Sequence, residues 1–194
     1  MKDETRRAWG LAVRLLPMSD DRCSTIIATR DHGELAFQDY FVRLRHDVPV
    51  DGVRFVGDAV ASPQMISAIE DADTIVIAPS NPLVSIAPIR SLPGVDTLLR
   101  RRRSDVVAVS PIVGGAALKG PAARMLTELG HEPSVLGVAR LYAPIASALV
   151  VDPVDAGYAA AVESLGMRCV IVPSVMSSPE IARDLAVTTV GAVR

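Results

Sequence analysis

The chain has 194 residues, of which 49% are hydrophobic, and a formal net charge of −2. Such a balance gives no indication of affinity for nucleic acid or for a membrane surface. No apolar run approaches the roughly 18 residues of a membrane span, and the first residues lack the apolar core of a secretory signal, so we expect a cytoplasmic chain forming one domain over 1–194.

Two neighbouring carboxylates follow the first apolar segment of the chain. Asp20 and Asp21 come directly after LLPMS at 15–19. Adjacent carboxylates at the end of such a segment can hold Mg²⁺ together with substrate phosphates, which makes these two residues the candidate metal ligands and Mg²⁺ the expected cofactor. The alternative interpretation is a turn that is merely rich in aspartate.

The next segments predict a hairpin. Residues 23–29 and 34–43 have the composition of extended segments, and Asp-His-Gly at 31–33 is typical of the turn between them. Cys23 and Cys169 both stand at predicted strand starts, where a free cysteine behaves as a small hydrophobic side chain. We therefore expect an antiparallel hairpin lobe near the N-terminus, with neither cysteine in a disulfide or a metal site.

Beyond this lobe, which we assign to 1–60, helices and strands alternate. A first helix over 63–72 is opened by Ser62 as its cap and by Pro63 at its first position. Strands are then predicted at 74–78, 106–109, 149–152 and 169–172, and helices at 86–103, 121–130, 154–165 and 179–186. The alternation predicts an α/β fold, with a mostly parallel, doubly wound, Rossmann-like sheet in 61–194.

The first candidate binding loop follows the strand at 74–78. Ser80, Asn81 and Ser85 offer short polar side chains around Pro82. Ser85 could cap the following helix, whose free N–H groups would favour an anion. Loops at the carboxyl end of a parallel strand are where ligands bind in such sheets. These four residues are therefore predicted to bind substrate or nucleotide.

The second candidate loop follows the next buried strand. Gly114 and Gly115 allow a ligand to approach the backbone closely, Lys119 adds a positive charge, and Ser110 and Gly120 flank them. Lys119 is followed by glycine rather than by serine or threonine, which excludes a Walker A loop, and no GxGxxG run occurs. Turns rich in proline and glycine also commonly connect strands and helices without binding a ligand. Two such loops in succession favour one shared anion site.

Several other polar residues are assigned structural roles. Arg140 could pair with a phosphate and Tyr142 could stack on a base or merely pack, but a structural role is expected for both. Asp152 and Asp155 flank a strand end, and we expect Asp155 to cap the next helix. The arginines at 100–103 are expected to form a solvated helix end, where cations complement the terminal carbonyl groups.

A set of motifs connects these loops to a known family. They are LLPMSDD at 15–21, FQDYFV at 37–42, PSNP at 79–82, SIAPI at 85–89, SPIVGG at 110–115, KGP at 119–121, GVARLY at 137–142, VDPVD at 151–155 and PSVM at 173–176. In these segments the chain resembles the transferases that attach 2-phospholactate or phosphoenolpyruvate to a deazaflavin alcohol in the biosynthesis of coenzyme F-420. The match covers about the C-terminal three fifths of such a protein, and the family's glycine-rich first strand and turn are absent.

The resemblance implies a specific reaction. The donor would be lactyl- or enolpyruvyl-2-diphospho-5′-guanosine, the acceptor 7,8-didemethyl-8-hydroxy-5-deazariboflavin, and the metal-dependent transfer would release GMP. Such chemistry requires mainly that two substrates are positioned and that phosphate charge is neutralised. A homodimer is also expected, because an absent N-terminal portion would leave an open strand edge that recruits partners.

Two alternatives of other classes remain open at this stage. One is a regulatory protein that binds a nucleotide or a UDP-sugar, similar to the gluconeogenesis-factor group. That group has Gly-Pro-Gly-Ser where this chain has Ala-Pro-Ser-Asn at 78–81. The other is an inactive chain, or an assembly subunit, that needs the missing N-terminal half. Asn81, Pro82 and KGP at 119–121 favour the transferase.

Overall fold

The computed structural model describes Ala8, Gly10 and residues 12–117 and 120–193. Its strands are β1 Ser24–Thr29, β2 Gly33–Ala36, β3 Val50–Val56, β4 Ile75–Ile77, β5 Val106–Val109, β6 Ile112–Val113, β7 Ala116–Ala117, β8 Ala148–Val151 and β9 Arg168–Ile171. Its α-helices are α1 Pro63–Asp71, α2 Ala87–Arg90, α3 Val95–Arg101, α4 Ala122–Glu128, α5 Val135–Tyr142, α6 Ala159–Ser164 and α7 Pro179–Gly191. None of these helices is long and apolar enough to cross a membrane.

The N-terminal strands form the predicted antiparallel lobe, with one strand more than expected. The order is β2-β1-β3, and Ile27 of β1 pairs with Leu35 of β2 and with Val53 of β3. Thr29 closes the turn, because its hydroxyl donates to the carbonyl of Gly33 at 2.8 Å. The hairpin prediction is therefore confirmed, and β3 is an addition to it.

The prediction of a second extended segment over 34–43 is wrong beyond Ala36. Asp39–Arg43 is instead a π-helical turn. The turn buries Tyr40 completely, in a cluster that includes Ile27 and Met125, while it leaves Phe41 partly exposed. The contacts of Tyr40 with distant residues decide this conformation, and the local alternation of side chains does not reveal them.

The parallel sheet has the predicted character. Its order is β4-β5-β8-β9, with every neighbouring pair parallel. On one face Val107, Val109 and Val150 pack with Leu185 of α7. The other face belongs to the main core, which contains residues of α1, α3, α4, α5 and α6. Helices therefore cover both faces, and the doubly wound α/β prediction is confirmed. Burial on both faces explains the unbroken apolar sequences of β5 and β8.

Several predicted boundaries differ from the observed ones. β8 and β9 begin and end one residue earlier than predicted, and α7 continues to Gly191. The helix predicted over 86–103 is divided into a π-helical turn at Pro82–Ile86, α2, α3 and a 3-10 turn at Arg103–Asp105. The helix predicted over 154–165 begins as a 3-10 turn at Pro153–Tyr158. Pro88, Pro93 and Gly94 account for the division, because they interrupt a continuous helix.

α1 confirms the predicted capping, whereas α5 was not predicted. The Ser62 hydroxyl accepts a hydrogen bond from the Met65 N–H, and Pro63 occupies the first helical position. In α5 five of eight residues are buried, and its apolar run Val-Leu-Gly-Val-Ala at 135–139 cannot be distinguished from a buried strand by periodicity alone. Its cap is Ser134, whose hydroxyl accepts from the N–H groups of Leu136 and Gly137.

The arginines at 100–103 do more than end a helix in solvent. Arg102 donates to three carbonyl oxygens at and just beyond the end of α1. Arg103 donates to the carbonyl oxygens of Ala143 and Gly166, at 2.7 and 2.6 Å. The prediction of a solvated helix end is therefore wrong for these two, because their guanidinium groups connect α3 to neighbouring segments.

Asp96 is expected to make the stability of the fold sensitive to acid. Its carboxylate contacts Arg90 at 2.7 Å and Arg100 at 2.8 Å. Burial opposes ionisation of Asp96, but hydrogen bonds and attraction from both arginines outweigh it and lower its pKa below the usual value of an aspartate. When the folded-state pKa is lower than the unfolded-state pKa, the ionised carboxylate stabilises the fold at pH values above the unfolded-state pKa. This stabilisation is lost as pH falls through the folded-state pKa.

The variant Asp96→Asn tests this expectation in urea unfolding at several pH values. We expect the wild type to be more stable than the variant at pH 7, and the difference to shrink below about pH 4 as the carboxylate is protonated. Asp51→Asn is the control, because Asp51 forms an exposed ion pair with Arg30. A difference between wild type and Asp96→Asn that does not change with pH would contradict the role of this carboxylate.

Candidate functional site

A cavity of about 660 Å³ opens at the carboxyl edge of the parallel sheet. The segments after β4, β5 and β9 enclose it, together with two phenylalanines of the antiparallel lobe. Its lining comprises Phe37, Phe41, Pro79, Ser80, Asn81, Val84, Ser85, Ser110, Pro111, Val113, Ala117, Gly120, Pro121, Ala122, Ser174, Val175 and Met176. Both candidate loops thus meet at one cavity, where ligands bind in open α/β sheets.

In the first loop the capping residue is Asn81, so the prediction that Ser85 caps the helix is wrong. The Asn81 side-chain oxygen accepts from the N–H groups of Leu83 at 2.9 Å and Val84 at 3.4 Å. Ser85 lies inside the resulting π-helical turn, and Pro82, which is buried, occupies its first position. The N–H groups expected to attract an anion are therefore already bonded within the protein.

Two hydroxyl groups of this loop are available to a ligand. Ser80 and Ser85 line the cavity. Within the described part of the chain, neither hydroxyl has a hydrogen-bond partner. A hydroxyl can donate one hydrogen bond and accept two, so both can reach phosphate oxygens or a ribose. These side chains replace the helix N–H groups as candidate donors.

The second loop folds as a small hairpin made of β6 and β7. Gly114 and Gly115 form its two-residue turn, with φ angles of 60° and 77°. Positive φ at both positions is the requirement of a type I′ turn, which glycine meets without strain. Neither glycine is among the cavity-lining residues, and the Gly114 N–H donates to Asp155 at 2.9 Å. Hairpin geometry therefore explains these glycines.

Ser110 lines the cavity but uses its side chain internally. It is 2% exposed, and its hydroxyl donates to the Ile112 carbonyl at 2.9 Å and accepts from the Ile112 N–H at 3.1 Å. Ser110 thus shapes the start of the hairpin. Gly120, at the end of the loop, also lines the cavity. The predicted ligand Lys119 lies outside the described residues.

The cavity lining also includes apolar side chains from outside the two candidate loops. Phe37 and Phe41 stack with ring centroids 5.4 Å apart, and Phe41 is 39% exposed. Val175 and Met176 also line the cavity, and Met176 is 56% exposed. A signal for Met176 existed, because it follows β9, whose carboxyl end lies at the same edge. The phenylalanines follow β2 of the antiparallel lobe, far in sequence from the two loops, and no local pattern places them at this cavity.

The described lining carries no charged side chain. Asp20 and Asp21 are not part of it. The Asp21 N–H donates to the Ser19 hydroxyl at 3.0 Å, and its carboxylate accepts from the Val60 N–H at 3.3 Å. The described ranges also contain no group of three or more His, Cys, Asp or Glu side chains that could hold a metal ion. This lining therefore does not fit an ion held by the protein alone.

Among Arg140, Tyr142 and Asp155, which were assigned structural roles, the role of Asp155 differs from the prediction. Arg140 pairs with Glu132 at 2.7 Å. Tyr142 is fully buried, and burial raises its pKa. The correction concerns Asp155, which caps no helix: Asp152 caps the 3-10 turn by accepting from the Val154 N–H at 3.2 Å. Asp155 is buried and bonds to Gly114 instead.

The fold is an α/β domain with a cavity at the carboxyl edge of its parallel sheet. Comparison with known families then identifies the family. The model of the 2-phospho-L-lactate transferase CofD family matches residues 2–176. The chain therefore belongs to this family, as the sequence resemblance predicted.

Curated relatives carry two transferase names. The chain is 41% identical over 180 residues to a 2-phospho-L-lactate transferase of Methanosarcina mazei. The aligned part covers 92% of this chain and 58% of the relative. It is 40% identical over 184 residues to a phosphoenolpyruvate transferase of Streptomyces griseus, with coverage of 92% and 58%. The chain thus spans less than two thirds of the length of these relatives.

The fold also has a solved counterpart. A crystal structure of the protein BH3568 from Bacillus halodurans superimposes with a TM-score of 0.62, covering 96% of this chain and 65% of that one. The two sequences are 15% identical. This likeness supports the α/β fold described above.

Proposed function

We propose that the cavity binds the guanosine-diphosphate part of a donor and that the chain is the donor-binding portion of a transferase. The group transferred would be phospholactyl or phosphoenolpyruvyl, and the acceptor the deazaflavin alcohol of coenzyme F-420 biosynthesis. The observation that carries this proposal is the origin of the cavity lining. PSNP at 79–82, the segment at 110–121 and PSVM at 173–176 bear the family resemblance, and all three contribute to the lining.

The proposed reaction asks little covalent chemistry of the protein. The acceptor hydroxyl oxygen would bond to the phosphorus that carries the lactyl or enolpyruvyl group, and the hydroxyl would lose its proton. The bond from that phosphorus to the bridging oxygen would break, and GMP would leave with that oxygen. Positioning and charge neutralisation supply most of the catalysis in such transfers. Ser80 and Ser85 would donate to phosphate oxygens, and Lys119 would supply positive charge.

The apolar walls suit the ring systems of the proposed substrates. The stacked pair Phe37 and Phe41 presents an aromatic surface to the cavity, and Met176 adds a polarisable thioether to the lining. Guanine and the deazaflavin are both flat and aromatic, so each could pack between such walls. Phosphate groups would then face the hydroxyl-bearing loop after β4.

Any Mg²⁺ would be bound by the phosphate groups of the donor rather than by the described lining of the cavity. Mg²⁺ prefers carboxylate, phosphate and water oxygens, and the described lining has no carboxylate. No step above passes through a metal ion. A requirement for Mg²⁺ is best tested as the dependence of nucleotide affinity on the ion.

Calorimetric titration of the purified chain tests the donor site. GDP with and without Mg²⁺ is compared with UDP-N-acetylglucosamine under the same conditions. We expect GDP to bind at least about tenfold more tightly than the UDP-sugar, a difference of about 1.4 kcal/mol. Preference for the UDP-sugar would overturn the donor assignment and support a regulatory protein. Binding of neither would also overturn the assignment of this cavity as the donor site.

A further inference from the structure

Two carboxylates that do not line the cavity bond to the segments that do. Both lie at the short turn after β8. Asp152 accepts from the Ser174 N–H at 2.9 Å and from the Ser174 hydroxyl at 3.3 Å. Asp155, which is 4% exposed, accepts from the Gly114 N–H at 2.9 Å. One turn thus contacts two segments that are distant from each other in sequence.

The bonded groups belong to two different walls of the cavity. Gly114 begins the turn of the β6–β7 hairpin, and Val113 and Ala117 of this hairpin line one side. Ser174 begins the short segment whose next two residues line another side. Asp152 and Asp155 belong to the same 3-10 turn and its cap. Because each of them bonds to one wall, together they fix the positions of the two walls relative to each other.

We infer that Asp152 and Asp155 are positioning residues that hold these two walls for the nucleotide of the donor. The inference rests on the proposed function, since it takes guanosine diphosphate as the ligand. Neither carboxylate touches the cavity, so each acts on the ligand through the segment that it holds. A loose wall must be ordered when the ligand binds, and that ordering weakens affinity.

The environment of Asp152 supports a permanent anchor. Burial opposes its ionisation, but hydrogen bonds from Ser174, Val154 and Val175 outweigh burial and lower its pKa. The carboxylate is therefore ionised at neutral pH and keeps accepting these bonds. Hydrogen bonds to charged groups are stronger than those between neutral groups.

The two anchors can be removed separately. Asp155→Ala removes the acceptor of the Gly114 N–H, and Asp155→Asn keeps one carbonyl oxygen for it. Asp152→Asn also keeps a single carbonyl oxygen. That oxygen can cap the 3-10 turn through the Val154 N–H or accept from Ser174, but it cannot do both in the observed geometry. Asp184→Asn on the exposed face of α7 is the control.

Hydrogen exchange and GDP titration are measured on each folded variant. In Asp155→Ala we expect amide exchange at 112–117 to rise at least about tenfold, with 173–176 unchanged, and GDP affinity to fall at least about tenfold. Asp152→Asn should loosen 173–176 instead, also with weaker GDP binding. Asp155→Asn should restore most of the affinity, and Asp184→Asn should match the wild type.

Two results would overturn the inference. One is unchanged exchange in both anchor variants, which would show that the carboxylates do not hold the walls. The other is GDP affinity within twofold of the wild type despite faster exchange. If the wild type itself binds no GDP, the donor assignment fails, and the exchange rates alone decide whether the carboxylates hold the walls. If Asp155→Ala does not fold, Asp152→Asn carries the test.

Discussion

Replacing Gly137 by alanine is expected to destabilise the fold by about 3 kcal/mol or more. A Cβ atom at this position would lie 1.9 Å from the carbonyl oxygen of Glu132 and 2.9 Å from its carbonyl carbon. Both are backbone atoms, so no side-chain rotation can relieve the clash. Glu132 also belongs to the turn that places Ser134, the cap of α5. Alanine would therefore force α5 away from its own cap and from the main core.

Thermal and urea unfolding followed by circular dichroism measure this effect. Domains of this size are stable by only about 5–15 kcal/mol, and about 3 kcal/mol corresponds to a melting temperature lower by roughly 6–12 °C. Gly191→Ala is the matched control, because a Cβ there meets nothing within 4 Å. That variant should be neutral or slightly more stable, since alanine favours a helix. A Gly137→Ala protein that melts within about 2 °C of the wild type would contradict the geometry.

Replacing Lys119 by alanine is expected to weaken GDP binding by about 10- to 100-fold. The described lining of the cavity has no charged side chain, although the ligand proposed for it carries a diphosphate. Lys119 directly precedes Gly120, which is part of that lining. Hydrogen bonds to charged groups contribute about 1.5–3 kcal/mol, which corresponds to this range of affinity.

Two further variants separate charge at this position from charge in general. Lys119→Arg keeps a cation and should retain most of the affinity, whereas Arg183→Ala removes an exposed cation of α7 and should change little. All variants are titrated with GDP, and their melting temperatures are compared. If Lys119→Ala binds GDP as tightly as the wild type, the lysine has no role in binding the diphosphate. If the wild type itself does not bind GDP, the result would instead overturn the assignment of the cavity as the donor site.

Much of the fold was predictable from short-range patterns. The apolar runs of β5 and β8 and the cap of α1 each depend on residues that are close in sequence. The missed elements depend on distant contacts. α5 begins with a short apolar run that local periodicity does not distinguish from a strand, and Tyr40 bends its segment into a helical turn because it packs against residues of β1 and α4.

The candidate site divides in the same way. Ser80, Asn81, Ser85, Ser110 and Gly120 were predicted and do line the cavity. Their individual roles were harder to predict, because hydrogen bonding depends on geometry at the scale of one bond length. Asn81 caps a turn, Ser110 bonds to its own loop, and the Gly114 N–H donates to the carboxylate of Asp155, whereas the hydroxyls of Ser80 and Ser85 have no partner among the described residues.

The sequence by itself determined the family, the parallel α/β core and the two loops that follow its strands, because motifs, apolar runs and turn residues act within a few positions. Only the tertiary structure decided what completes the cavity. Phe37 and Phe41 come from the segment that follows β2, Met176 comes from the segment that follows β9, and Asp152 and Asp155 bond to two of the lining segments. These contacts join residues tens of positions apart, and chain packing rather than local propensity brings them together.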